Sequence, residues 1–232
     1  MIPRPELAEP RIVDAPRPDL RAVPGQFFLA VPPTFDPFLP RVVFPFRLRG
    51  ESVESLILPP EVAGWTMHGN ALELRGAYGR GFALPAQGGR ALILAQDALA
   101  GAQLLSVVLT LVAREVEVAV VCGPNERMER WLPPEVEYHT AEDVLSAAGD
   151  LWNWADRVYA CGQMAFYDRL LHAATQARLK LEAGWAQLLL RELPMPCGVG
   201  ICYLCALKTT RGIVLNCQSG PVLDLADWIA EA

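Results

Sequence analysis

Four of the six cysteines in this 232-residue chain lie close together near its end, in the segment PCGVGICYLCALKTTRGIVLNC. They are Cys197, Cys202, Cys205 and Cys217, and their spacing is C-x4-C-x2-C-x11-C. Thiolates are preferred ligands of soft metal centres, and the first three of these cysteines fall within nine residues. Three ligands on one short loop can approach a single centre from the same side.

Two glycines in the same segment, Gly198 and Gly200, indicate a loop that curls around such a centre. The curl allows backbone N–H groups to point at inorganic sulfide, which stabilises the negative charge of a cluster. The fourth cysteine, Cys217, would arrive from the far end of a short hairpin. This spacing is the plant-type arrangement of a [2Fe–2S] cluster. We therefore predict that the four cysteines hold such a cluster and that the protein carries electrons one at a time.

Two other interpretations of these cysteines remain open. A structural zinc site with four cysteines usually contains two C-x2-C pairs, and this segment contains one. Buried cysteines without a metal would not need this spacing. Outside the segment, Cys122 ends an apolar strand and is interpreted as core packing. Cys161 lies in ACGQ, between a predicted strand and a predicted helix, where α/β sheets place loops that contact ligands.

The composition indicates a folded protein with a core of its own. Hydrophobic residues make up 52% of the chain and charged residues 20%, which excludes an intrinsically disordered protein. The length suggests one large domain or two small ones. The net charge is −6 and no block of like charge occurs. Nucleic acids and anionic membranes are therefore poor candidate partners, since both require clustered lysine and arginine.

The most apolar stretch of the chain, residues 98–113, is the one candidate for a membrane span. It is 16 residues long and is interrupted by Gly101, Gln103 and Ser106, whereas a bilayer requires about 20 apolar residues. We predict a buried helix there. The first ten residues, MIPRPELAEP, contain no apolar segment of a secretory signal. We therefore expect a cytoplasmic protein whose cysteines are reduced.

Residues 1–88 are predicted to form a small antiparallel barrel or sandwich. Ten of the twenty prolines lie at or before Pro40, which favours short strands and turns over long helices. Four short segments with glycine and proline between them are the strand candidates. They are 26–31 (QFFLAV), 42–48 (VVFPFRL), 55–58 and 71–74.

Residues 89–190 are predicted to alternate strands with helices. Residues 91–95 (ALILA) and 116–121 (VEVAVV) are apolar runs typical of strands buried on both faces, and 138–140 and 157–160 are weaker candidates. Residues 164–181 have the spacing of an amphipathic helix. This alternation predicts a parallel sheet with helices on both faces. Residues 191–232, which contain the cysteine segment, form a third predicted unit.

The cysteine segment, CGVGICYLC followed by Cys217 in CQSGPVLD, resembles the cluster-binding end of the electron-transfer subunits of dihydroorotate dehydrogenase. These subunits belong to the ferredoxin-reductase-like superfamily. The similarity covers most of the chain in order, and the cysteine segment is its most specific part. The other similar segments are PGQFFLAVP at 24–32, DPFLPR at 36–41, RGAYGRGFALP at 75–85 and YACG at 159–162.

The resemblance implies a flavin-binding β-barrel at 1–88, a nicotinamide-binding α/β domain at 89–190 and a C-terminal [2Fe–2S] module at 191–232. It also implies that the cluster ligands are Cys197, Cys202, Cys205 and Cys217. Subunits of this family form a complex with an FMN-containing catalytic barrel that oxidises dihydroorotate to orotate in pyrimidine biosynthesis. Electrons cross the cluster to FAD and then to NAD. The expected partner is therefore such a catalytic subunit, in a hetero-oligomer.

The flavin motifs of the family are degenerate in this chain. The family's Arg-x-x-Ser strand, which holds FAD, reads RVVF at 41–44, so that Phe44 replaces the hydroxyl. No counterpart of the family's Gly-x-Gly-Thr turn is visible between residues 46 and 75. Arg41 is the one residue that the resemblance carries over to FAD. We expect FAD to be absent or weakly held.

The nicotinamide motif is degenerate as well. The family's glycine-rich turn reads AQDALAG at 95–101, where Asp97 can cap the following helix and repel phosphate. We therefore expect that NAD does not bind. If FAD is also absent, electrons would pass singly to an external carrier such as a ferredoxin.

No residue is predicted to act as an acid, a base or a nucleophile, because His68, His139 and His172 show no catalytic spacing. Whether the chain is itself an enzyme stays open for the same reason. Two other functions also stay open. Proteins with this fold also act as the reductase subunits of other oxidoreductases. Alternatively, a cluster or a zinc ion could only stabilise the C-terminal segment of a structural subunit.

Overall fold

The computed structural model describes residues 11–16, 18–32, 39–67, 72–124, 128–177 and 180–230. These residues form an antiparallel sheet, a mainly parallel sheet with helices on both faces, and a two-stranded hairpin. His68, residue 71 of one predicted strand and residues 36–38 of the DPFLPR segment lie outside the described residues. The division at residues 88 and 190 stays a prediction.

The first sheet contains five antiparallel strands in the order β1-β4-β3-β2-β5. The antiparallel pairing predicted for this part of the chain is confirmed. A short helix, α1, was not predicted; its first residue is Pro60, and proline is favoured at the first position of a helix. The strands and the helix are β1 (Arg11–Asp14), β2 (Phe27–Val31), β3 (Arg41–Arg49), β4 (Ser52–Leu58), α1 (Pro60–Met67) and β5 (Glu73–Tyr78).

The second sheet has the order β13-β10-β9-β6-β7-β8, and all its pairs are parallel except β10 with β13. The predicted parallel sheet is confirmed. Its strands are β6 (Arg90–Ala95), β7 (Glu117–Cys122), β8 (Glu137–Thr140), β9 (Arg157–Gly162), β10 (Ala186–Leu190) and β13 (Val222–Asp224). Its helices are α2 (Ala98–Val112), α3 (Val144–Ala147), α4 (Leu151–Trp154) and α5 (Met164–Ala177). The strand β10 was not predicted from the sequence, and the helix predicted over 164–181 is described over Met164–Ala177.

The strand order places the topological switch point, where the order of adding strands reverses, between the parallel strands β6 and β9. Ile93 of β6 pairs with Val120 of β7 on one side and with Tyr159 of β9 on the other. The chain first proceeds outward through β7 and β8, and then returns to add β9 and β10 on the opposite side. Doubly wound sheets bind ligands in the crevice at the carboxyl ends of the two strands flanking this point.

The charge-free helix α2 is buried because it packs against both sheets. It contacts β6, β7 and β9 on one side and β3 of the first sheet on the other. Phe44 and Phe46 of β3 therefore share one continuous hydrophobic core with Leu104 and Leu105 of α2. The buried helix predicted over 98–113 is confirmed. Within the described residues, no helix combines the length and the apolar character that a membrane crossing requires.

The last part of the chain packs against the second sheet. The hairpin strands β11 (Ala206–Thr209) and β12 (Gly212–Leu215) lie between the third and fourth clustered cysteines, and helix α6 (Asn216–Ser219) follows them. The Asn216 amide is buried and donates to the carbonyl of Leu190, at the end of β10. This contact fixes the cysteine segment relative to the edge of the parallel sheet.

Substitution of Phe44 by alanine should lower the free energy of unfolding by about 3–5 kcal/mol, because it opens a cavity in the core shared by the two sheets. Only 5% of Phe44 is exposed. Urea unfolding followed by tryptophan fluorescence measures the effect. Leu39→Ala is the control: half of this side chain is exposed, so the change should stay below about 0.5 kcal/mol. Equal losses in the two variants would contradict the shared core.

Candidate metal centre

The cysteine loop follows β10 and curls at its two glycines. Gly198 and Gly200 have φ values of 67° and 79°, a region that favours glycine. At Gly200, a Cβ atom would lie 2.5 Å from the side chain of Gln218, which donates to the carbonyl of Val199 at 3.0 Å. The glycines thus let the loop turn tightly beneath the residues of α6, as the sequence predicted.

The loop and α6 bring the four clustered cysteines together as two pairs. The Sγ atoms of Cys197 and Cys202 lie 3.3 Å apart. The backbone N–H of Cys217 donates to Sγ of Cys205 at 3.4 Å, and the two thiols also interact directly. Cys205 and Cys217 are buried, whereas Cys202 is exposed. One pair therefore lies at the surface and the other lies beneath it.

The surroundings shift the pKa values of Cys197 and Cys217 in opposite directions. Burial raises the pKa of Cys197, but N–H groups of Cys202, Val199 and Ile201 that hydrogen-bond its sulfur outweigh burial and lower the pKa to about 6. Burial raises the pKa of Cys217 to about 12, and the nearby Cys205 adds to this shift. Metal binding requires thiolates, so a cationic centre is what would stabilise four of them here.

The paired arrangement fits a binuclear centre better than a single ion. A structural zinc ion requires four ligands around one point. A [2Fe–2S] cluster contains two iron atoms with two protein ligands on each. The two cysteine pairs match that requirement.

Exposed apolar side chains flank Cys202 in the cysteine loop, and another lies on the hairpin that follows the loop. Ile201 and Tyr203 are 77% and 69% exposed, and Ile213 of the neighbouring hairpin is 77% exposed. We call this group the cluster-loop patch. Its members are Val199, Ile201, Tyr203, Leu204 and Ile213. Elsewhere in the described part of the chain, the exposed large hydrophobic side chains are Leu39 and Ile229.

The two cysteines outside the segment are buried in the α/β part of the chain. Cys122, at the end of β7, belongs to the hydrophobic core, in agreement with its predicted packing role. Cys161, at the end of β9, lies 3.3 Å from Oε1 of Gln103, and burial raises its pKa to about 12. Cys161 thus lies at the predicted strand end as a neutral, buried thiol, which is the unreactive form.

The two residues at the degenerate flavin motif point in different directions. The Arg41 guanidinium donates to the carbonyl of Leu39 at 3.2 Å on the exposed side of β3. Phe44 lies in the core, and its ring centroid is 6.4 Å from that of Phe27. Arg41 lines a cavity with residues 191–196, which precede the cysteine loop, and its role toward FAD stays a prediction.

Asp97 caps α2, as predicted from the degenerate nicotinamide motif. Its carboxylate accepts from the N–H of Ala100 at 2.8 Å and from the Arg191 guanidinium at 3.0 Å. Burial by itself would raise the pKa of Asp97. The hydrogen bond and charge of Arg191, with the N–H groups of Ala100 and Leu99, outweigh burial and hold the pKa below its usual 3.8.

The histidines do not meet one another or the cysteines within the described residues. His139 contacts Glu137 at 2.6 Å, and His172 contacts Gln176 at 2.8 Å, in both cases on the surface. Sequence reasoning missed the cluster-loop patch, although four of its apolar residues stand in the loop GVGICYLC. It also missed Arg191, because nothing in the sequence around Arg191 indicates that it pairs with Asp97.

Comparison with known proteins supports the assignment of the cysteine segment. Residues 192–227 match the family described as the iron–sulfur cluster binding domain of dihydroorotate dehydrogenase B. A curated relative, the electron transfer subunit of dihydroorotate dehydrogenase B (NAD(+)) from Desulforamulus reducens, is 27% identical over 236 residues. That alignment covers 90% of this chain and 87% of the relative.

Solved structures share the fold. A chain of the NADH-dependent reduced ferredoxin–NADP oxidoreductase, solved in work on flavin-based electron bifurcation, has a TM-score of 0.71 and 14% identity. The match covers 93% of this chain and 83% of that one. The Amycolatopsis cytochrome P450 reductase GcoB has a TM-score of 0.53 and 18% identity, over 73% of this chain and 61% of its own. The ferredoxin-reductase-like fold predicted from the sequence is confirmed.

Purified protein should be brown and contain about two iron atoms and two sulfides per chain. Replacement of Cys197, Cys202, Cys205 or Cys217 by alanine should each abolish the visible absorption, because each removes one of four ligands. Visible spectra with iron and sulfide analysis measure the result. Cys122→Ala, which removes a core thiol, should leave the colour intact. Stoichiometric zinc without sulfide in anaerobically prepared protein would contradict the cluster.

Asp97→Asn should lower the free energy of unfolding at pH 7 by about 3 kcal/mol, because Arg191 stays buried without its counter-charge. The side chains of Asp97 and Arg191 are 23% and 8% exposed. The folded-state pKa of Asp97 is depressed, so its contribution is present above about pH 4 and lost as the pH falls further. Urea unfolding at several pH values should show the difference from wild type shrinking below pH 4.

Asp143→Asn is the matched control for this variant. Asp143 also caps a helix, α3, and forms an ion pair with Arg169 at 2.8 Å, but both side chains are about half exposed. Solvent screens such a pair, and asparagine preserves the cap, so the loss should stay below about 1 kcal/mol. A loss as large as that of Asp97→Asn would show that burial of the ion pair is not what matters.

Proposed function

We propose that this chain is the iron–sulfur electron-transfer subunit of a dihydroorotate-dehydrogenase-like flavoenzyme. The premise is its resemblance to the electron-transfer subunits of dihydroorotate dehydrogenase B. It would act in pyrimidine biosynthesis and receive electrons from the flavin of its partner. The family match over residues 192–227 and the curated relative both support this role. The fold agrees with it.

The observation that carries the proposal is the arrangement of four thiols in two pairs, one at the protein surface and one buried beneath it. Cys197 and Cys202 would hold one iron, and Cys205 and Cys217 the other. A [2Fe–2S] cluster, when bound, supplies one-electron transfer. The N–H groups of Cys202, Val199 and Ile201 around the Cys197 sulfur stabilise negative charge there. No acid, base or nucleophile is required of this chain.

The cluster-loop patch supports a protein partner at the same place. Exposed apolar side chains collected on one surface are typical of protein interaction sites. Here four of them flank Cys202 in the loop, and Cys202 is the exposed member of the surface pair. Electron transfer between two proteins requires their redox centres to lie close together, so a partner seated on this patch would approach the cluster directly. We propose that the partner is an FMN-containing catalytic subunit and that the two form a hetero-oligomer.

We further propose a cytoplasmic location and a one-electron acceptor of the ferredoxin type. A reducing compartment keeps four neighbouring thiols available as ligands instead of joining them in disulfides. Oxidation of one dihydroorotate molecule to orotate releases two electrons and two protons. Two molecules of a one-electron carrier would take up the electrons, and the protons would go to solvent.

Coexpression with the FMN-containing subunit and anaerobic copurification test the proposed complex. We expect the two chains to copurify and dihydroorotate to bleach the visible absorption of the cluster within the complex. Ile201→Asp and Ile213→Asp should each weaken association at least about tenfold, because a carboxylate would be buried in an apolar interface. Binding is measured by surface plasmon resonance.

Ile229→Asp is the control, since Ile229 is also exposed but lies outside the cluster-loop patch. It should bind the partner as the wild type does. Association that survives both patch variants would place the interface elsewhere. A complex that forms with a different flavoenzyme, and a cluster reduced by that enzyme's substrate, would keep the electron-transfer role and replace dihydroorotate. A cluster that no partner substrate reduces would favour a structural staple.

A further inference from the structure

In this fold the nucleotide crevice lies at the carboxyl ends of β6 and β9, at the topological switch point of the sheet. Two helices begin at this edge of the sheet, α2 after β6 and α5 after β9. The free N–H groups at helix N-termini are what hold phosphate in such crevices. The groups that accept hydrogen bonds from these N–H groups therefore determine whether the crevice can bind a phosphate.

An internal ion pair occupies the first of these helix ends. The carboxylate of Asp97 accepts from the N–H of Ala100 at 2.8 Å, in the position that a phosphate oxygen would take. Arg191, which follows β10, donates to both oxygens of Asp97. Only 8% of the Arg191 side chain is exposed. A phosphate could bind here only by displacing Asp97 from a guanidinium that has no other carboxylate among its contacts in the described structure.

Side chains of the same protein also occupy the second helix end. Glu192 accepts from the N–H of Met164, the first residue of α5, at 3.0 Å. Gln96 reaches across the crevice, and its Oε1 accepts from the N–H of Gln163 at 2.6 Å. At Gly162, a Cβ atom would lie 2.6 Å from the same Oε1, which shows how closely Gln96 fits over β9. Side chains that follow β6 and β10, Gln96 and Glu192, thus reach the start of α5 across the crevice.

The position of the degenerate flavin motif is filled as well. Phe44 and Phe46 of β3 are 5% and 4% exposed and belong to the core that α2 shares. The Phe46 ring packs edge-on against Trp131 at a centroid distance of 4.9 Å. These apolar contacts join β3 directly to the second sheet and its helix. They cover Phe44 and Phe46 with apolar side chains, so that these two residues offer a flavin ring no hydrogen-bonding group. At the start of the same strand, Arg41 lines a cavity together with Arg191 and Glu192.

We infer that this chain fills both dinucleotide-binding positions of its fold with its own side chains and binds neither FAD nor a pyridine nucleotide. The ion pair of Asp97 with Arg191, supported by Gln96 and Glu192, replaces the phosphates of the nicotinamide cofactor. The aromatic side chains of Phe44, Phe46 and Trp131 replace the flavin. This inference concerns the chain alone and holds whichever partner it has.

Direct titration of the full-length wild-type chain tests the inference. Gentle purification followed by denaturation should release no stoichiometric FAD. Titration with FAD and with NADH, followed by flavin or nicotinamide fluorescence, should show no saturable binding up to millimolar concentration. Saturable micromolar binding of either dinucleotide would overturn the inference. The titrations do not involve the partner, so their outcome is independent of the proposed function.

A gain of binding in Asp97→Asn tests the part of the inference that concerns the ion pair. Removal of the carboxylate charge leaves Arg191 beside the N-terminus of α2 without a counter-ion. Inorganic phosphate should then raise the melting temperature of the variant saturably with concentration, at constant ionic strength, while wild type shows no such rise. Asp143→Asn, at the exposed cap of α3, is the control and should resemble wild type.

Absence of a phosphate response in Asp97→Asn would show that the ion pair does not occupy an anion site and would overturn that part. If the variant does not fold, Arg191→Met with Asp97→Asn removes both charges of the pair. This double variant should fold and should gain no phosphate response, because the guanidinium is absent. The wild-type titrations decide the inference about FAD and NADH in every case.

Discussion

Burial of α2 between two sheets is the constraint on which the rest of the molecule depends. A helix in an α/β protein usually presents one face to the sheet and the other to water, and its sequence is correspondingly amphipathic. In this chain, β3 of the first sheet covers the face that water would otherwise contact. The charge-free sequence of residues 98–112 follows from this double contact. Because α2 has no solvent face, the first sheet is held rigidly against the second.

This packing also determines what happens at each end of the interface. At its N-terminus, α2 presents free N–H groups beside the edge of the parallel sheet, and burial there requires that they be paired. Asp97 supplies the acceptor, and Arg191 neutralises the buried carboxylate. At the other side, Met195, Cys205 and Cys217 belong to the same continuous core. The core therefore anchors the inner cysteine pair, while the outer pair stays at the surface.

Much of this architecture could be predicted from local sequence. After their first residues, Arg90 and Glu117, the strands β6 and β7 are apolar runs, and the cysteine spacing indicates the cluster without any knowledge of the fold. The strand β10, AQLLL, was missed because a five-residue, mostly apolar segment has no periodicity that separates a strand from a helix. Arg191 could not be found at all. Its partner Asp97 lies 94 residues earlier, and only the strand order β10-β9-β6 brings the two together.

A fold can keep its shape after losing a cofactor only if other groups replace what the cofactor contributed. A dinucleotide contributes negative charge at helix N-termini and an apolar ring system between layers of structure. In this chain, Asp97 and Glu192 supply the charge, and Phe44 supplies an aromatic ring at the degenerate flavin motif. Within the described residues, the contacts recorded for the clustered cysteine sulfurs are with one another and with backbone N–H groups. Under the assignments proposed above, the same sequence retains the ligands of one redox centre and fills the positions of the others. This is the pattern expected if one-electron transfer is the function that the chain preserves.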